Sequence, residues 1–252
     1  MAYLEKFEQG RLFGVCSIIF SQTMEKNRFL LIRFQNELPV SKLEFFRGAI
    51  IHALKDKDIL FHNHLDKEGF RYAYPMIQYK TIHKKAAILC IESGTEAVGK
   101  LFLDSDLILN ISGKEEAFVV DNITAYKYLI QIWETRFVYR IRRWLALNQE
   151  NYERFQQLES VAEKSAFLEN ILKANILSFA KGLNVFFDRQ VECKITRLGD
   201  PAIIWYKGVK MTVFDAEFIT NVSIPDYVGL GKGASLGYGV TVRKKEKTTQ
   251  NR

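Results

Sequence analysis

Two histidines are the residues best placed to do chemistry in this 252-residue chain. His62 and His64 lie two positions apart in the polar stretch "FHNHLDKEG". Histidine exchanges protons near neutral pH, so the pair could serve as a general base and a general acid. For any single histidine the alternative is a surface or structural role. A zinc site is disfavoured because the cysteines of the chain are remote from this stretch.

A second unusual stretch is "GLGKGASLGYG", residues 229–239, which we call the glycine-rich segment. It does not match a Walker phosphate loop, because Lys232 is followed by Gly233 instead of serine or threonine. It does not match a dinucleotide fingerprint either, because an extended "YGVTVRK" follows where that motif needs a helix. Glycines allow sharp turns and close backbone approach, and exposed amides beside Lys232 could hold phosphate oxygens. The alternative is a glycine-rich hairpin that precedes a solvated basic tail.

Positive charge is concentrated in the same region. The chain carries a net charge of +7, and residues 229–252 contain six basic residues against one acidic residue. A clustered surplus of this kind favours a polyanionic partner. "YRIRRW" adds Arg142 and Arg143, which could contact a nucleic-acid backbone or form a solvated face.

Periodic patterns in the first half predict alternating strands and helices. Apolar residues at helical spacing follow Ser41, a candidate N-cap, and Thr95 is a candidate cap for a second helix. The predicted elements, in order, are a strand over 28–35, a helix over 41–58, strands over 70–82 and 85–93, a helix over 94–103 and a strand over 116–122. This order is that of a ferredoxin-like unit. Aromatic residues in 70–79 could stack on RNA bases or pack inside the sheet.

The second half predicts another α+β domain. Residues 123–147 are compatible with strand or helix, whereas 151–183 are helical, with a break where Ser160 and Glu163 could form a capping box. Strands are predicted near 191–198, within 202–220 and at 238–244. We therefore expect an α+β protein with one domain over residues 1–124 and another over 125–252.

The glycine-rich segment resembles the C-terminal loop of the CRISPR repeat-RNA processing endoribonucleases, the Cas six family. The loop of that family reads approximately G-x-G-x-x-x-S-x-G-x-G before a final strand, and Gly229, Gly231, Ser235, Gly237 and Gly239 occupy those places. The resemblance implies two ferredoxin-like (RRM-type) domains in tandem with a C-terminal glycine-rich loop. It also implies cleavage of CRISPR precursor RNA within its repeats.

The resemblance also assigns roles to residues. In the family a histidine after the first helix is commonly catalytic, which implies His62 and His64, with Tyr74 as a third candidate. Many members place a catalytic tyrosine on the first helix, where this chain has Ile51. The residues implied in RNA binding are Gly229, Gly231, Lys232, Gly233, Ser235, Gly237, Gly239, Arg142, Arg143 and Lys244.

The implied reaction is independent of metal and needs no cofactor. Attack by the ribose 2′-oxygen would leave a 2′,3′-cyclic phosphate and a 5′-hydroxyl. A non-catalytic RNA-binding subunit of a CRISPR effector complex is the alternative. We expect CRISPR repeat RNA as the partner, with other effector-complex subunits left open, and a cytoplasmic monomer or homodimer without membrane attachment. The scattered cysteines Cys16, Cys90 and Cys193 fit a reducing compartment.

Overall fold

The computed structural model describes residues 26–53, 74–102 and 107–245. His62 and His64 lie outside the described residues, as does the start of the predicted 70–82 strand.

The first half forms a four-stranded antiparallel sheet in the order β2-β3-β1-β6. Its central strand is buried on both faces: Phe29 and Leu31 point to one side, and Ile32 and Phe34 to the other. A short hairpin, β4–β5, precedes the last strand. The elements are β1 (Asn27–Glu37), α1 (Leu43–Ala53), β2 (Ile77–Ile82), β3 (Lys85–Ile91), α2 (Ser93–Ala97), β4 (Ile108–Ile111), β5 (Lys114–Ala117) and β6 (Val120–Tyr128).

The second half repeats this strand order. Taking β7, β8, β10 and β11 as strands one to four, the sheet order β11-β7-β10-β8 is that of β6-β1-β3-β2 in the first half. The additional strand β9 pairs with the start of β10 as a hairpin. The elements are β7 (Ile132–Trp144), α3 (Gln149–Gln157), α4 (Val161–Gly182), β8 (Cys193–Leu198), β9 (Ala202–Tyr206), β10 (Val209–Val222) and β11 (Val240–Arg243).

The glycine-rich segment takes the place of a helix. In the first unit α2 lies between the third and fourth strands, whereas in the second unit the corresponding connection runs from Val222 to Val240. Within the described residues, the regular structure of this connection is a single 3-10 turn, Ala234–Leu236. The segment is therefore part of the connection between β10 and β11, the last two strands along the chain.

The two units pack against each other through a hydrophobic cluster to which both contribute. One face of the first sheet packs against α1 and the residues around Ala97, in a cluster that contains Phe46 and Tyr79. The opposite face, with Phe29 and Leu89, belongs to the same hydrophobic cluster as the second sheet and α4. In RRM domains the open sheet face is where bases stack. Here that face of the first sheet is covered by protein.

The expected fold class is confirmed, with local differences. The Ser160–Glu163 capping box forms, and it separates α3 from α4 as predicted. Ser41 lies inside a 3-10 turn, Val40–Lys42, and Thr95 donates its hydroxyl hydrogen to the Glu92 carbonyl from within α2, so neither residue is an N-cap. Regular pairing of β2 starts at Ile77, because the chain before it turns toward the second unit.

Candidate functional site

Tyr74 is the one predicted catalytic residue that the structure describes, and its hydroxyl is tied to the glycine-rich segment. The Tyr74 hydroxyl donates to the Gly229 carbonyl at 2.7 Å and accepts a hydrogen bond of 2.8 Å from the Gln78 amide. Its ring packs against Phe179 of α4, with the ring centroids 5.1 Å apart. Burial raises the pKa of Tyr74 above its ordinary value. The hydroxyl therefore stays protonated at neutral pH and joins the two units.

Gln78, four residues after Tyr74 and inside β2, also bonds to Gly229. Its side-chain oxygen accepts a hydrogen bond from the Gly229 amide at 3.0 Å, so both backbone groups of Gly229 are bonded to the first unit. Gln78 is fully buried. Because each such bond contributes about 1 kcal/mol and is costly to leave unpaired, the start of the glycine-rich segment is fixed in place.

Lys80 supplies a third link to the same segment. Its side chain is fully buried, and its ammonium nitrogen donates to the Ala234 carbonyl at 2.9 Å. Burial lowers the pKa of Lys80 to about 7. Gln78 and Lys80 alternate in β2 with Ile77 and Tyr79, which face the α1 side. Both polar side chains therefore point at the second unit.

Sequence reasoning did not identify Gln78 or Lys80. The available signal was their period-two spacing in the apolar run "MIQYKTI". A polar residue at every second position of a buried strand needs a partner on that face.

The close approach that the glycines permit is made by the protein itself. A Cβ at Gly239, where φ is +61°, would collide with the Leu230 carbonyl oxygen. One at Gly231, where φ is +80°, would lie 2.6 Å from the Asn175 side-chain oxygen. A Cβ at Gly229 would lie 2.9 Å from Ala234, and one at Gly237 would lie 2.7 Å from the Leu43 side chain. The glycines are thus required for the fold of the segment.

The segment has a buried part and an accessible part, which differ in the exposure of their residues. Gly229, Gly237 and Gly239 are buried, whereas Lys232 is exposed. Gly231, Gly233 and Ser235 are half-buried around it. Backbone amides of the buried part donate hydrogen bonds within the protein. Leu230 donates to the Gly239 carbonyl, and Gly239 donates to the Arg143 carbonyl. We name residues 231–235 the crest, because the exposed and half-buried residues of the segment lie there, whereas Ala234 among them is buried.

The two predicted arginines flank this segment in different ways. Arg142 pairs in register with Val240 and is exposed. Within the described ranges, it has no ion-pair partner. Arg143, with φ +50°, donates to the Tyr238 hydroxyl at 3.2 Å and lies 4.5 Å from the centre of that ring. Arg143 therefore braces the segment, while Arg142 presents a free charge beside it.

Lys244 has an internal partner. Its ammonium lies 2.8 Å from the Glu217 carboxylate, which Arg140 also contacts at 2.8 Å. Lys244 and Arg140 together hold the pKa of Glu217 at about 2. The carboxylate is therefore ionised at neutral pH and offsets part of the charge of Lys244.

The arrangement can bind an anion but shows no metal centre among the residues described. Within those ranges, no group of three or more His, Cys, Asp and Glu side chains is placed to hold a metal ion. Nor does any helix in them combine the length and apolar character needed to cross a membrane. What the site offers is the exposed Lys232 on the crest and the exposed Arg142 opposite Val240, at the end of the segment. Phosphate oxygens are the ligands that such a surface suits.

Comparison with known proteins places the chain in a family. The model of the Cas6b N-terminal domain matches residues 26–128, and that of the Cas6b C-terminal domain matches residues 131–244. The uncharacterized protein MJ0978 of Methanocaldococcus jannaschii is 33% identical over 132 residues, which cover 52% of this chain and 80% of that protein.

Solved structures agree. A crystal structure of Cas6b is 28% identical, covers 87% of this chain and 100% of its own, and superposes with a TM-score of 0.76. The crystal structure of a CRISPR RNA processing endoribonuclease Cas6b, 24% identical with the same coverage, has a TM-score of 0.66 and shares the fold. Two matching domain models in tandem, over a fold repeated in both halves, lead to one conclusion: the chain belongs to the Cas6b family.

Proposed function

We propose that this protein is an endoribonuclease that cuts CRISPR precursor RNA within its repeats. The observation that carries the proposal is the family match over both halves. A solved structure named as a CRISPR RNA processing endoribonuclease also shares the fold. The crest of the glycine-rich segment supports the same proposal, because it exposes the charged side chain of Lys232, which suits phosphates.

The proposed chemistry uses the RNA itself as nucleophile. A base takes the proton of a ribose 2′-hydroxyl, the 2′-oxygen attacks the adjacent phosphorus, and an acid protonates the departing 5′-oxygen. The products are a 2′,3′-cyclic phosphate and a 5′-hydroxyl. No metal is needed if two side chains carry the protons and cations offset the charge of the transition state.

His62 and His64 are the proposed base and acid, in an order that we leave open. They belong to the segment between Ala53, at the end of α1, and Tyr74, whose hydroxyl is bonded to Gly229. Tyr74 is the first described residue after the histidine-bearing stretch, and its hydroxyl contacts Gly229 of the glycine-rich segment. Tyr74 remains a third catalytic candidate, and its hydrogen bond to Gly229 supports a role in positioning.

RNA binding is proposed for the three kinds of residue around the crest. Gly231, Lys232, Gly233 and Ser235 would contact RNA directly. Gly229, Gly237 and Gly239 are buried and would act by holding the crest. Arg142 would contact phosphates, whereas Arg143 and Lys244 would act partly through their bonds to Tyr238 and Glu217. A boundary between residues 124 and 125 would fall inside β6 (Val120–Tyr128), which pairs with β1, so we propose two domains that meet between β6 and β7.

Histidine variants test the assignment. In EDTA, His62→Ala and His64→Ala should each lower the single-turnover cleavage rate of repeat RNA by about 10²-fold or more. RNA affinity should change little, since neither histidine is needed to neutralise phosphate. His83→Ala, in the β2–β3 turn, is the matched control. Wild-type rates in both variants would refute the histidine assignment, and a wild type that binds but never cuts would favour the non-catalytic effector-complex subunit.

A further inference from the structure

The β9–β10 hairpin exposes an aromatic and apolar surface that the core does not use. The exposed fractions of Ile203 and Trp205 are 72% and 69%. Trp205 pairs in register with Lys210, so the two side chains lie on the same face of the hairpin. The Lys210 ammonium lies 5.5 Å from the centre of the Trp205 ring. The ammonium therefore lies over the indole ring, which is itself largely exposed.

The other face of the hairpin is anchored to the glycine-rich segment. Tyr206 is buried and contacts Tyr238 edge to face, with the ring centroids 5.2 Å apart. Leu145 and Leu236 belong to the same small cluster. The Lys232 ammonium of the crest lies 5.6 Å from the centre of the Tyr206 ring. Trp205 is thus presented by a strand whose next residue packs under the crest.

The positive charge of the β9–β10 hairpin indicates which kind of ligand its surface fits. Residues 202–214 contain Lys207 and Lys210 and no acidic residue. A second copy of the same hairpin would bring like charges together, which opposes self-association. A nucleotide fits both halves of the surface, because its base can stack on an indole while its phosphate meets a lysine.

We propose that Trp205 and Lys210 form a subsite that stacks one unpaired base of the RNA, outside the crest. The inference rests on the proposed function for the identity of its ligand. It adds a contact with a base to a site otherwise made of backbone and phosphate contacts. Since every base has a stacking face, the subsite favours an unpaired nucleotide at a fixed distance from the crest over a particular sequence.

Affinity measurements with matched variants test the subsite. Trp205→Ala should weaken binding of labelled repeat RNA about 10-fold at fixed salt, as loss of one stacked base does, whereas Trp205→Phe should retain most of the affinity. Phe186→Ala is the control, because Phe186 is an aromatic residue of 72% exposure after α4. Thermal melting should be unchanged in all three variants, since neither ring is buried.

A scan of single abasic substitutions along the RNA identifies the base. One abasic position should weaken binding to the wild type and have no further effect in Trp205→Ala. The inference is wrong if no position shows this coupling, if Trp205→Ala binds like the wild type, or if Trp205→Ala instead changes the oligomeric state. Coupling without cleavage would refute the proposed function alone, and cleavage without coupling would refute the subsite alone.

Discussion

The Tyr74 hydroxyl donates to the Gly229 carbonyl at 2.7 Å and so links the first unit to the start of the glycine-rich segment. The two residues are 155 positions apart in the chain. Tyr74 is also the first described residue after the histidine-bearing stretch, so this bond joins that point of the chain to the segment proposed to hold RNA.

Tyr74→Phe separates positioning from catalysis. Loss of the hydroxyl leaves the buried Gly229 carbonyl without this donor, which costs about 1–3 kcal/mol. We expect a lower free energy of unfolding in urea and weaker RNA binding, with a single-turnover rate at saturating protein near that of the wild type. A rate that falls about 10²-fold with unchanged stability would assign Tyr74 to catalysis instead.

Gly239→Ala should damage the fold more than an ordinary glycine substitution. The added methyl group would collide with the Leu230 carbonyl oxygen at a residue whose φ is +61°. Gly113→Ala is the matched control, since its φ is +85° and a Cβ there meets nothing within 4 Å. The control should lose only about 1–2 kcal/mol from the backbone conformation. Gly239→Ala should lose measurably more in urea unfolding, and equal losses would contradict the observed packing.

Lys80 should make stability depend on pH. Its pKa is about 7 in the folded protein, against 10.5 for an ordinary lysine. Between these values the unfolded chain binds more protons, so the free energy of unfolding rises with pH, by up to about 1.4 kcal/mol per unit. Below pH 7 both states are protonated and this contribution is flat.

The comparison is between Lys80→Met and the exposed-lysine control Lys127→Met, each measured by urea unfolding at pH 7, 8 and 9. Lys80→Met should lack part of the rise with pH that the wild type and the control show. The same pH dependence in all three proteins would mean that Lys80 is not buried as a titrating group.

Arg142 and Lys244 should differ in their contribution to RNA binding. Arg142 is exposed opposite Val240, whereas the Lys244 ammonium is paired with Glu217 at 2.8 Å. Arg142→Gln should lower the slope of log affinity against log salt by about 0.7 to 1, as loss of one phosphate contact does. Lys244→Gln should lower it less. Equal changes would show that RNA displaces the Glu217 pair.

Much of the fold was predictable because apolar periodicity reports burial directly. The strand over 28–35 and the capping box at Ser160 are local features, and both appear as predicted. The β4–β5 hairpin was missed, because its two strands have four residues each and Lys114–Ala117 carries mostly polar side chains. Residues 123–147, which were ambiguous, became strands because both β6 and β7 have partners distant in sequence.

The sequence indicates the glycine-rich segment, but not the side chains that hold it in place. Spacing singles out the glycines at 229–239, and the sharp turns expected there agree with the positive φ values of Gly231, Gly233, Gly237 and Gly239. Two of the side chains that approach them could not be read from the sequence, because Asn175 and Leu43 belong to α4 and α1, far from the segment along the chain. The hydrogen bonds of Tyr74, Gln78 and Lys80 were equally hidden, since they depend on how two units pack.

We propose that the 2′-hydroxyl of the RNA is the nucleophile in a metal-free cut within the repeat. The most direct measurement compares single-turnover cleavage, in EDTA, of repeat RNA and of the same RNA with one 2′-deoxy nucleotide before the cut. We expect unmodified RNA to give a 2′,3′-cyclic phosphate and a 5′-hydroxyl, and the deoxy substrate to bind with similar affinity without being cut. Cleavage of the deoxy substrate at the normal position, or loss of all activity in EDTA that Mg²⁺ restores, would contradict it.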